Sequence, residues 1–283
     1  MGEPGAQNAT VDVVAAVEAL PPLPAVALRV MQVAQDPKAS ASDLALVVSS
    51  DPGLSSRILR VVNSAAYRRM REITSVQQAL VTIGFVQARN LAISGAIAGA
   101  YAPDALNALF RVETFWRHSI AVAFKAAEYA GRGRRVDVPS AFTAGIVHNM
   151  GRLALYYKDP ALVDQAVARA VAEDRTLEEI ELNELGFDHA AAGALLARKW
   201  KLPEPICEAI GRHHEPLETD QTLAGCVAMA DRYVVGNGLL PGYVVPPAVG
   251  TRPEPTPEFA GLMRQVQALM ELVTGNPVGV RAA

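Results

Sequence analysis

The stretch "SAFTAGIVHNMGRLALYY", residues 140–157, decides the fold. Ala, Gly, Ile, Val and Met fill it at three- and four-residue spacing, the pattern of a helix buried on most sides. Asp137 and Pro139 suit its entry, and Gly151 its end. Near that end stand an imidazole and an amide, His148 and Asn149, which a buried helix carries only where they find partners. Ala141, Ala144 and Gly145 share a face with His148, and such small residues let neighbouring helices close in on a common centre.

Helical spacing continues on both sides, with few alternating β-branched runs, so the expected fold is all-α, a two-lobed helical bundle. A tail over 1–12 precedes an N-terminal lobe over 13–103. There "LPPLPAVALRVMQVAQDP" gives a helix, and "SASDLALVVSSDPGLSSRILRVVNSAAY" gives two, joined at Asp51-Pro52-Gly53. "SVQQALVTIGFVQARNLAISGAI" gives one more, capped by Thr74 or Ser75. The second lobe, 104–238, opens with "VETFWRHSIAVAFKAAEYA" and contains the stretch above. An acidic helix pair over 161–185 follows, then helices over 188–203 and 205–216, and finally "TLAGCVAMADRYVVGNG". A Pro-rich strap over 239–257 leads to a C-terminal helix over 258–275.

A chain of 283 residues fits one compact unit. Its 51% apolar and 19% charged content places it among globular proteins, and a net charge of -3 exerts no general pull on nucleic acid or anionic membrane. "MGEPGAQNATVDVV" lacks the basic and apolar regions of a secretory signal and no apolar run is long enough to span a bilayer, so a cytoplasmic location is expected. Cys207 and Cys226 read as buried, reduced thiols.

Charge is distributed unevenly. Residues 173–188 carry seven acids against Arg175, a local charge of -6 that reads as a solvated face or a docking surface for a basic partner. Residues 51–72 carry Arg57, Arg60, Arg68, Arg69 and Arg71 against two acids, a local +3. These arginines border the groove between the lobes and mark it as the expected partner-binding surface. The same segment has the length of a helix-turn-helix, but two helices on a tight turn are common in all-α proteins, so nucleic acid is not the favoured partner.

All five histidines, His118, His148, His189, His213 and His214, fall in the second lobe, joined by Asp231. Neutral imidazole and ionised carboxylate are the usual ligands of a divalent metal. A hydrogen-bonded core network is the alternative, and His213 and His214 could also complement a helix dipole in the last turn of their helix.

The order of these residues is similar to the metal-ligand order of the HD phosphohydrolase superfamily, especially its HD-GYP cyclic-dinucleotide phosphodiesterases. The first-lobe blocks, with "AFTAGIVHNMGRLAL" and "GFDHAAAGALLARKWKLPEPICEAIGRHHEP", more closely resemble the HDOD family, the HD-related output domain of bacterial signalling proteins, over residues 18–235. The resemblance implies that His148-Asn149 stands where active members have a His-Asp pair whose aspartate bridges two metals. Thr114 stands where HD-GYP enzymes have a glutamate, and "EPLETDQTLAG" replaces the Gly-Tyr-Pro loop. A neutral amide is a weak metal ligand, so two-metal hydrolysis is not expected.

The implied function is therefore a non-enzymatic signalling output module that binds other proteins in trans, with no catalytic residues. Expected partners are signalling proteins such as a diguanylate cyclase, a kinase or a response regulator, or a second copy in a homodimer. No cofactor is expected, although the remnant of six residues could hold a single divalent metal, Fe, Mn or Zn. The alternative is a degenerate metal-binding phosphohydrolase or nucleotide-binding protein.

Overall fold

A computed structural model describes residues 12–63, 73–101, 110–242 and 256–274. Fifteen helices and no β-sheet form among the described residues, so the chain is all-α. Most of the expected strap, and Arg68, Arg69 and Arg71, lie outside them. No described helix is long and apolar enough to cross a membrane.

The first helices are α1 (Val13–Ala19), α2 (Ala25–Gln35), α3 (Ala41–Ser49) and α4 (Pro52–Val62). Ser40 and Asp43 close a capping box on α3, and Asp51 caps α4 ahead of Pro52. The single helix expected over "SVQQALVTIGFVQARNLAISGAI" is instead two, α5 (Val76–Ile83) and α6 (Phe85–Ala98). Gly84 sits between them at φ 83°, a conformation that costs other residues strain. The short helix α1 was not anticipated; it packs on α9 and α12, elements of the histidine-bearing half.

That half consists of α7 (Val112–Gly133), α8 (Val138–Val147), α9 (Met150–Lys158), α10 (Pro160–Glu173), α11 (Leu177–Leu185), α12 (His189–Lys199), α13 (Glu204–Gly211) and α14 (Leu223–Gly236). The deciding stretch breaks earlier than Gly151. His148 and Asn149 form the turn between α8 and α9, and Gly151 lies inside α9. A Cβ on Gly151 would stand 2.0 Å from the His189 carbonyl oxygen and 2.4 Å from the Gly193 nitrogen, so glycine here allows backbone-to-backbone contact of α9 with α12. Close packing, and not termination, is what this glycine provides.

The last helix, α15 (Pro257–Thr274), lies against α7, α6 and α4 and so touches both halves. Its Glu258 meets the buried Lys125 of α7 at 2.5 Å, with Glu128 at 3.1 Å and the Tyr233 ring 4.2 Å away. Cys207 and Cys226 are buried free thiols.

Candidate metal centre

Four of the five imidazoles, those of His118, His148, His189 and His213, are fully buried, and each is locked by an acceptor behind its Nδ1. His118 Nδ1 donates to the Leu239 carbonyl at 2.9 Å, His148 Nδ1 to Gly145 at 2.7 Å, and His213 Nδ1 to Ile210 at 2.6 Å. His189 Nδ1 donates to Glu181 Oε2 at 2.5 Å. A carbonyl can only accept, so the hydrogen belongs to Nδ1, and in a neutral ring Nε2 keeps its lone pair for the interior.

The ε-nitrogens gather in two halves. In the first, His118 Nε2 lies 3.0 Å and His148 Nε2 3.6 Å from Asp231 Oδ1, with 3.3 Å between the two nitrogens. In the second, His189 Nε2 lies 2.7 Å from His214 Nε2, and the His213 and His214 rings are 3.9 Å apart. The His148 and His213 rings, 5.0 Å apart, join the halves.

Burial fixes the charge states. Desolvation pushes His148 below its ordinary value against the pull of Asp231, and pushes His189 and His213 well below theirs. His214, though partly exposed, is pushed down to about 2 by desolvation and the neighbouring His189. These directions oppose the partly protonated His213 and His214 that a helix-dipole role would need. Both residues also lie beyond the end of α13 and not in its last turn. Desolvation works against ionised Asp231, but the neighbouring His118 and His148 rings outweigh it and hold the carboxyl well below the usual range.

Two groups the sequence did not single out complete the centre. Glu181 of α11, read above as part of an acidic face, is buried, accepts the His189 backbone N–H at 2.8 Å as well as its ring, and is raised by burial to about 7. Arg152, also buried, places Nη2 2.9 Å from His189 Nε2 and 3.4 Å from Nδ1. A donor aligned with one ring lone pair stands well away from the other nitrogen, so this guanidinium lies over the ring face. The remaining acids of the -6 stretch are largely paired: Glu173 with Arg169 and Arg175, Glu184 with Arg169, and Glu179 with Arg175.

Asn149 donates its amide Nδ2 to His148 Nε2 at 2.8 Å, while its buried Oδ1 has no hydrogen-bond partner; nor has His213 Nε2. Unsatisfied acceptors beside an ionised carboxylate suit a cation, and the groups that could hold one are His118, His148 and Asp231, or His189, His213 and His214. A divalent ion held there would supply Lewis-acid polarisation or lower the pKa of a bound water.

Of the arginines expected to line a partner surface, Arg57 and Arg60 lie on α4. Arg57 is half-buried, with Nη2 donating at 3.3 Å to the Gly95 carbonyl near the end of α6, where it complements the helix dipole, and Arg60 is exposed.

The HDOD domain family model matches residues 20–216, and the chain belongs to that family. Its fold is similar to that of an HDOD domain protein of unknown function from Geobacter sulfurreducens, with 26% identity, TM-score 0.67, and 93% of this chain and 92% of that one covered. It is also similar to a candidate signal transduction protein from Marinobacter aquaeolei VT8, with 25% identity, TM-score 0.71, and coverage of 91% and 60%. A candidate phosphohydrolase from Shewanella amazonensis SB2B matches at 27% identity and TM-score 0.67, with 94% and 99% covered. An uncharacterised protein of Treponema pallidum (strain Nichols) is 24% identical over 202 residues, 70% of this chain but only 38% of that protein's length.

Proposed function

We propose that the chain is a signalling output domain that acts by binding another protein and does not hydrolyse phosphodiesters. The observation that carries this reading is Asn149: its amide N–H covers the lone pair of His148 Nε2. In the related hydrolases the resemblance places a metal-bridging carboxylate at that position. Thr114, one turn before His118, supplies no second carboxylate. With both charges gone, nothing in the centre holds two cations a few ångströms apart. The signal-transduction description of the Marinobacter relative supports the same reading. Partners would be other signalling proteins, such as a diguanylate cyclase, a kinase or a response regulator.

The test is an assay of cyclic di-GMP and bis(p-nitrophenyl) phosphate with Mn, Fe or Mg added. No turnover is expected. Turnover that disappears in His148→Ala would overturn the proposal. A single cation at His118, His148 and Asp231 is a compatible second reading, favoured by the ionised carboxylate among two locked imidazoles. In that case the ion would be structural, and elemental analysis would find one per chain, lost in His118→Ala.

A further inference from the structure

We infer that Glu181, His189 and His214 form a polarised hydrogen-bonded relay, in which the buried carboxylate of Glu181 sets the tautomers of both imidazoles and turns the Nδ1 lone pair of His214 outward. The chain of distances is short throughout: 2.5 Å from Glu181 Oε2 to His189 Nδ1, then 2.7 Å from His189 Nε2 to His214 Nε2. One hydrogen must lie between the two ε-nitrogens. Glu181 decides which ring owns it. Its Oε2 already accepts the His189 backbone N–H at 2.8 Å, so it takes the Nδ1–H as a second donor. His189 Nε2 is then bare, and since Arg152 Nη2 lies over the ring face and not along the lone pair, His214 supplies the bridging hydrogen.

The outer end follows from the same logic. With its hydrogen on Nε2, neutral His214 carries a bare Nδ1, which lies 3.8 Å from Glu178 Oε1, beyond hydrogen-bond range. His214 is the one histidine with appreciable exposure, its side chain 21% accessible. Glu178 and Glu181 sit one turn apart on α11, so a single helix carries the acids beside both rings. The relay therefore presents at the surface an acceptor for an O–H or N–H donor of a ligand or partner, oriented by a carboxylate two rings away. Glu181 is a positioning residue in this arrangement. The guanidinium of Arg152 over the His189 ring favours neutral imidazole, and so a relay that passes tautomer and not charge.

Imidazole nitrogen NMR on the chelator-treated full chain tests this without any metal. His189 should show a protonated Nδ1 and bare Nε2, and His214 the reverse. Glu181→Leu should exchange the two patterns in both rings, because nothing then holds the hydrogen on His189 Nδ1. Glu181→Gln, which can still accept through its amide oxygen, should leave them unchanged and serves if the leucine variant does not fold. The proposal is overturned if His189 carries its hydrogen on Nε2 in the parent protein, or if Glu181→Leu folds and leaves His214 unaltered. Neither outcome bears on whether the protein hydrolyses phosphodiesters or binds metal.

Discussion

The His118–His148–Asp231 half and the His189–His213–His214 half are built from the same ring, yet they keep their negative charge in different places. The first holds its carboxylate among the ligand atoms, with neutral carbonyls behind the rings. The second holds its carboxylate behind one ring and a guanidinium over it, and uses one ε-nitrogen as the partner of another. A cation is drawn to where a carboxylate faces it and resisted where a positive charge already sits. Counting histidines therefore does not count cation sites; the charges that lie behind, over and between the rings decide it.

Bringing the backbones apart should destroy the comparison altogether. Gly151→Ala forces a methyl group against the His189 carbonyl and Gly193 backbone, which cannot move as a flexible side chain would. A loss above roughly 4 kcal/mol is expected, because it combines overpacking with broken buried contacts. Denaturant unfolding would check it, and near-parental stability would mean that α9 and α12 do not meet as described.

Arg152→Met should cost about 3 kcal/mol by leaving Glu181 buried without its nearby positive charge, and adding Glu181→Gln should recover most of the loss. No such rescue is expected when Glu181→Gln is combined with Asp231→Ala, since that substitution falls in the other half. Melting curves of the four variants separate the halves.

Asn149→Asp sharpens the first half. It adds a buried carboxylate beside His148 with little change in volume, so the metal-free protein should lose about 1 to 3 kcal/mol. Added Mn or Zn should restore stability by binding the folded state, and elemental analysis should show more metal per chain than in the parent. Equal metal content, with a melting temperature indifferent to chelator, would leave the centre a hydrogen-bonded network.

The smallest effect is in the pH profile. His148, His189, His213 and His214 are depressed in the folded state, so their contribution is present above about pH 6.5 and is lost as pH falls below it. Glu181, raised to about 7 from an ordinary 4.5, works oppositely: its contribution is present below 4.5 and lost as pH rises through 7. Stability should therefore rise between pH 5 and 6.5, and Glu181→Gln should steepen the rise by at most about 1.4 kcal/mol per pH unit. A profile unchanged in the variant would place Glu181 outside the titrating centre.

Much of the helical pattern could be read directly, because spacing, caps and prolines are local. Ser75, Asp137 and Asp188 each cap a helix that the sequence starts there. The breaks at Gly84 and His148–Asn149 were not legible, since each interrupts an apolar run that would continue as helix if tertiary packing did not override it. Six centre residues were visible as a pattern of metal-ligand types. Glu181 was hidden among exposed acids, and Arg152 is a single charge in an apolar stretch; contact across α9, α11 and α12 shows that both face His189. One signal was available: within the acidic helix, Glu181 lies one residue after Ile180 and four before Leu185, next to its apolar face.

The family match stops at residue 216, but α14 begins at Leu223. Trimming the chain to the matched segment would remove Asp231, and with it the carboxylate that His118 and His148 share. It would also remove Leu239, whose carbonyl fixes the His118 ring. Such a fragment would expose the flank of α7 on which α14 and α15 now lie, and would carry the family's signature without its electrostatic keystone. For this protein the limit of a recognisable pattern and the limit of a self-sufficient folding unit are different residues, and experiments on an isolated domain should extend at least through α15.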